Sequence, residues 1–100
     1  MSNKDIHIDR WFADRGITEN GKPMAQAIKT LEETTELLDA INKQDIREIT
    51  DAVGDIYVTL RGVCLTTGIS FDECVSQAYH EIKDRKGYLT PEGTFVKETV

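Results

Sequence analysis

Cysteine, histidine, proline and tryptophan are scarce in this chain: two cysteines, two histidines, two prolines and a single tryptophan. Cys64 and Cys74 form no C-x-x-C pair, so a zinc site or a disulfide framework has little basis. Reduced thiols and a cytoplasmic location are the expectation. No apolar run approaches the roughly 20 residues that cross a bilayer. The opening MSNKDIHIDRW lacks the apolar core of a signal peptide. Positive charge is also in deficit, with 12 Lys and Arg against 18 Asp and Glu for a formal net charge of −6. That balance repels phosphate backbones and acidic lipid, so neither a nucleic-acid polymer nor a membrane is the expected partner. A small phosphorylated ligand is still compatible, because a cation can bridge two negative groups.

What is present fits one small folded domain over residues 1–100, with 39% hydrophobic and 30% charged residues. A chain of this length buries only about 60–70% of its unfolded surface, so a partner subunit would help it. Ile6 to Arg15 reads as a short helix closed by Gly16, and Thr18 to Pro23 as a turn or loop. Met24, Ala27, Ile28, Leu31, Leu38 and Ile41 draw one stripe along a second helix. Asp45 is placed to cap the next, with Glu48 three residues on; Ile46, Ile49, Val53, Ile56, Leu60 and Val63 keep helical spacing until Gly68. Ser70 and Glu73 begin a further amphipathic helix through Ile82. Residues 88–100, with Pro91-Glu-Gly93, read as an extended or hairpin-like tail. The expected class is all-α: an antiparallel helical bundle with short loops.

The acids are the most informative feature. Glu32, Glu33 and Glu36 lie within one helical turn, with Asp39 beyond, and Glu48, Asp51 and Asp55 follow at steps of three and four. At about 100° per residue the last three share a face. A solvated face is the ordinary explanation, yet Ala40, Ala52 and Thr59 stand where i+4 lysines or arginines would supply ion pairs. Small and apolar neighbours (Ala52, Val58, Thr59, Gly62) predict a layer covering the Asp51/Asp55 face. Covered carboxylates need a counter-ion, and an all-oxygen donor set selects Mg²⁺, with Mn²⁺ as a substitute, over zinc or copper. The Glu-x-x-His pairs of a helical di-iron site are missing, since Gln77 precedes His80, and Lys4 precedes His7, by three.

Lys29-Thr-Leu-Glu32-Glu33-Thr-Thr-Glu36-Leu37 and Glu48-Ile-Thr-Asp51-Ala-Val-Gly54-Asp55-Ile-Tyr57 resemble the paired helix motifs of the MazG-like all-α nucleoside triphosphate pyrophosphohydrolases. Ala78 to Gly87 and Gly93 to Glu98 are similar to a small phage and bacterial branch of that family. One departure is Ala52, which stands where many members carry the acid three residues before the Asp of G-D; Asp51 and Asp55 both stay open as ligands.

The resemblance implies an all-α pyrophosphatase fold completed by oligomerisation into a four-helix core. It also implies Mg²⁺-dependent cleavage of a nucleotide between its α and β phosphates. Glu33, Glu36, Asp51 and Asp55 would then hold metal, and Glu32 or Glu48 would orient the attacking water. Lys29, Lys83, Arg85 and Lys86 would contact phosphates, with charge complementing a helix C-terminus the other reading of the last three; Trp11 and Phe12 are candidates for stacking on a base, with core packing the commoner fate of such aromatics. The expected partners are a nucleotide and further copies of the chain, as a dimer or dimer of dimers. The alternative is a non-catalytic nucleotide-sensing or dimerising module that keeps the fold.

Overall fold

The computed structural model describes residues 2–99. Five helices precede a small hairpin: α1 (Asn3–Asp14), α2 (Ile17–Asn20), α3 (Pro23–Asn42), α4 (Ile46–Thr67), α5 (Phe71–Ile82), β1 (Gly87–Leu89) and β2 (Phe95–Lys97). The fold is all-α in class. Its hairpin is antiparallel, pairing Tyr88 with Val96, in the stretch expected to be extended. Val100, the end of that expected tail, and Met1 lie outside the described residues.

Local chemistry sets the helix ends. The Ser2 hydroxyl accepts from Asp5 N at 3.2 Å while the Asp5 carboxylate accepts from Ser2 N at 3.3 Å. That reciprocal cap starts α1 three residues earlier than its apolar pattern predicts. Asp45 caps α4 through Glu48 N at 3.1 Å and Ser70 caps α5 through Glu73 N at 3.2 Å, both as expected. Gly68 closes α4 with φ of 82°, a left-handed conformation that glycine adopts without a Cβ penalty. The stretch expected to be a plain loop contains the single turn α2, entered from Gly16 at φ 73°.

The centre of the molecule is the antiparallel α3–α4 pair. The hydroxyls of Thr30 and Thr59 share a 2.8 Å hydrogen bond. Near the other end of α4, Gly62 is so close to α3 and α1 that an added Cβ would lie 2.5 Å from Gln26 Oε1 and 2.9 Å from the Phe12 ring. Ala40, Ala52, Thr59 and Gly62 are buried; small residues at these positions let the helix axes approach.

The apolar stripe of α3 is turned away from α4: Met24, Ile28, Leu31, Leu38 and Ile41 are exposed, and the packed side carries Thr30, Glu33, Leu37 and Ala40. The expectation that a layer covers the Asp51/Asp55 face is corrected within the chain. Asp51 and Asp55 are exposed, and the small residues beside them pack under α3 and α1 instead. Among the described residues no helix is long and apolar enough to cross a membrane.

Candidate functional site

The turn between α3 and α4 folds the two acidic stretches onto a common cleft of about 380 Å³. Glu36 and Asp39 enter from α3, Glu48, Asp51 and Asp55 from α4, with Ala52 between them and Lys43 at the turn. Five carboxylates against one ammonium make it strongly negative. Lys43 Nζ lies 2.9 Å from Asp39 Oδ2, and Asp39 together with the charges of Glu48 and Asp45 raises the Lys43 pKa.

Glu33 does not line this cleft but lies on α3 one turn before Glu36, half-buried. The neighbouring Glu36 carboxylate, burial, and the negative charges of Asp55 and Glu32 all push its pKa upward. Its Oε2 is buried and has no hydrogen-bond partner. Acids from two helices are thus close enough to penalise one another's ionisation, the condition a divalent cation relieves. An unsatisfied buried carboxylate oxygen among all-oxygen donors fits Mg²⁺ or Mn²⁺. Among the described residues no three acidic, histidine or cysteine side chains are already gathered around one point as an ion would require. The exposed Glu36, Asp51 and Asp55 would have to turn inward on binding.

The other predicted residues are distributed unevenly. Glu32 lies one turn up α3 from Glu36 and pairs with Lys29 at 3.4 Å, both largely exposed; neither lines the cleft. Lys83, Arg85 and Lys86 lie at and beyond the end of α5. Arg85 and Lys86 border a separate shallow depression with Lys97 and Glu98. Phe12 is 2% exposed, its ring against Gly62. That makes it a core residue, and the expectation that it stacks on a base is corrected.

Trp11 is different. It is 45% exposed and contributes, with Lys4, His7, Ile8 and Val58, to a mainly apolar cleft of about 320 Å³. Val58 follows Asp55 by three residues, so this second cleft begins about one helical turn along α4 from the acids. One face of the indole is taken by Arg15, whose guanidinium carbon is 4.2 Å from the ring centroid.

Sequence reasoning overlooked Asp39 and Lys43 as part of the site. Their signal was available: Glu32, Glu36, Asp39 and Lys43 form one ridge at steps of four, three and four. It also passed over Arg61, a charged residue between Leu60 and Gly62 that is only 4% exposed. Arg61 ties α4 to α1, the helix that carries Trp11.

An acidic cleft between two helices of an all-α fold is the class of site described above, and comparison with known proteins gives its family. Residues 9–86 match the phosphoribosyl-ATP pyrophosphohydrolase family. The chain belongs to that family, within the MazG-like all-α superfamily of nucleotide pyrophosphohydrolases. It is also 35% identical over 54 residues to an uncharacterised 18.2 kDa protein from the rep-hol intergenic region of Haemophilus phage HP1 (strain HP1c1). That match covers 54% of this chain and 33% of the phage protein, so it spans about a third of its relative's length. No solved structure matches the chain.

Proposed function

We propose that the chain hydrolyses a triphosphate-bearing nucleotide between its α and β phosphates, releasing a nucleoside monophosphate and pyrophosphate. The observation that carries this reading is the cleft into which α3 and α4 together bring the carboxylates of Glu36, Asp39, Glu48, Asp51 and Asp55. Glu33, Glu36, Asp51 and Asp55 would hold Mg²⁺, or Mn²⁺ in its place. The bound ion would supply charge neutralisation for the phosphates and acidify water.

The protein's own groups do the rest. Glu48, which lines the cleft, accepts a proton from water as its oxygen attacks the α phosphorus and the bond to the bridging oxygen breaks. Glu32, outside the cleft and tied to Lys29, is the weaker choice for that role. Pyrophosphate leaves with the bridging oxygen, opposite the incoming water, and Lys43 offers its ammonium to the phosphate chain. The Trp11 side of the groove, one turn away, receives the base. The exposed stripes on α3 and α4 support assembly as a dimer or dimer of dimers, with the helices of two copies completing a four-helix core.

The test is pyrophosphate release from a panel of ribo- and deoxyribonucleoside triphosphates and phosphoribosyl-ATP, with and without Mg²⁺. Turnover of at least one panel member only with the metal supports the reading. Absence of turnover across the panel by folded, Mg²⁺-supplemented protein rejects it.

A further inference from the structure

Cys64 and Cys74 stand on either side of the turn between α4 and α5, and the hydrogen bonds that fix that turn begin and end on the cysteines themselves. The Cys64 carbonyl accepts from Gly68 N at 2.8 Å and from Ile69 N at 3.1 Å. Ser70 then restarts the helix: its hydroxyl accepts from Glu73 N at 3.2 Å and its carbonyl from Cys74 N at 3.2 Å. With so short and so fixed a connection, little chain entropy opposes a meeting of the two sulfurs.

The faces of the helices agree with the turn. Tyr57, Arg61 and Cys64 follow at steps of four and three along one side of α4, and Phe71 and Cys74 are three apart on one side of α5. The Phe71 ring lies 5.2 Å from that of Tyr57 and 5.2 Å from the Arg61 guanidinium carbon, so these two sides are the ones in contact. One turn beyond that contact on each helix come Cys64 and Cys74. Burial, and then the neighbouring Cys74 side chain, push the Cys64 thiol upward in pKa. Both thiols are free, but their settings differ: Cys64 is buried and Cys74 is exposed. A reagent in solution therefore meets Cys74 first, and Cys64 is reached through it. The helix that carries Cys74 is lightly held, with no buried residue along its length.

We propose that Cys64 and Cys74 form a reversible redox site, in which a small disulfide oxidant converts the pair into an internal bridge that braces α5 against α4. Cys74 loses its proton and its thiolate attacks one sulfur of the small disulfide; that S–S bond breaks, and the leaving thiolate takes up a proton. Cys64 then attacks the Cys74 sulfur of the mixed disulfide, its own proton passing to the second small thiolate that departs. The pair gives up two electrons and two protons, and one small disulfide becomes two small thiols. A bridge with one end open to solvent is readily reduced again, the property of redox-sensing disulfides in reducing compartments. The pair lies apart from the acidic cleft, and its chemistry does not depend on nucleotide hydrolysis.

The reduced full chain, freed of reductant, is incubated with oxidised glutathione and followed by free-thiol titration, intact mass and peptide mapping, with folding checked by circular dichroism. Both thiols should disappear, leaving a monomer lighter by two hydrogens, with Cys64 joined to Cys74 and full reversal by dithiothreitol. Backbone amides of α5 should exchange with deuterated water more slowly in the oxidised form. Cys64→Ser should stop at the mixed disulfide on Cys74, one glutathionyl group heavier. Cys74→Ser, left with the buried thiol, should react at least about tenfold more slowly than the wild type. Thiols that stay free in the wild type, a glutathionyl adduct that Cys64 never displaces, or dimers linked through Cys74 without an internal bridge each overturn the proposal. So does a bridge that leaves amide exchange in α5 unchanged.

Discussion

Arg61 and Asp9 meet as a two-bond fork, Nε to Oδ1 at 2.8 Å and Nη2 to Oδ2 at 2.7 Å, across the contact between α4 and α1. The guanidinium is 4% exposed, and Asp9, outweighing the cost of burial, pushes its pKa further upward. Asp5 sits 3.7 Å from Nη1 on the other side and accepts a 2.6 Å hydrogen bond from the Tyr57 hydroxyl. Through this cluster α1 is fixed relative to the acidic helix. The apolar cleft around Trp11 is then held against α4 at Val58, three residues on from Asp55.

Asp9→Ala should leave that guanidinium buried without its main counter-charge, at a cost of about 3–5 kcal/mol. Urea denaturation followed by circular dichroism measures it. Adding Arg61→Met should recover much of the loss, because an apolar side chain needs no partner there. A cost under about 1 kcal/mol, typical of an exposed pair, would show that the fork does not hold α1 in place.

The Tyr57–Asp5 bond should show itself in the pH dependence of stability. The Tyr57 hydroxyl, the Ser2 cap and the Arg61 charge outweigh burial and hold the Asp5 pKa below its ordinary 3.8. That contribution is present above the unfolded value and is lost as pH falls through the lowered folded value. Asp5 raises the Tyr57 pKa above 10.0, so the phenol's contribution is present below its unfolded value and is lost as pH rises through the folded one. The advantage of the wild type over Tyr57→Phe should be full between about pH 5 and 9 and narrow at both extremes. Urea midpoints of the two proteins measured across pH test this; a gap that is constant at every pH would contradict it.

Helix ends were the legible part of this fold. Ser70, Asp45 and Gly68 act locally, through one side-chain oxygen or one backbone angle, and need no tertiary context. The packed side of α3 was not legible. Periodicity marks an apolar face without saying what covers it. What brings α3 onto α4 is instead the smallness of Ala40, Ala52, Thr59 and Gly62, a steric property that hydrophobicity does not register. The site divides in the same manner. Glu33, Glu36, Asp51 and Asp55 follow from spacing on two helices, whereas Lys43 joins them only through the path of the turn. Phe12 in the core is the commoner fate of such an aromatic, but its particular place there depends on the missing Cβ of Gly62, fifty residues away.

Two glycines of α4 should respond in opposite directions to alanine. At Gly62 the new Cβ would meet the Phe12 ring at 2.9 Å as well as Gln26, and a buried ring cannot swing away freely. Overpacking outweighs the gain in helix propensity, for a net loss of about 1–2 kcal/mol. At Gly54 nothing lies within 4 Å, so Gly54→Ala should stabilise the helix by about 0.5–1 kcal/mol. Thermal melts of both variants make the comparison, and a destabilised Gly54→Ala would reveal a surface covered by something besides this chain.

The acidic cleft makes the most demanding prediction, because metal binding and catalysis should fail together. Glu36→Gln and Asp55→Asn each remove one charge while keeping size and hydrogen-bonding capacity, so helicity should not change. Either should lower Mg²⁺-dependent pyrophosphate release by at least about 100-fold, the loss expected when several kcal/mol of transition-state charge stabilisation disappears. In the absence of nucleotide, Mg²⁺ should raise the melting temperature of the wild type, since it binds the folded state, and raise it less in either variant. Lys43→Ala should behave differently. Its ammonium competes with a cation for Asp39, so the metal's thermal shift should persist or grow while KM for the nucleotide rises. If Mg²⁺ stabilises the wild type and Glu36→Gln equally, the carboxylates of α3 do not hold the ion.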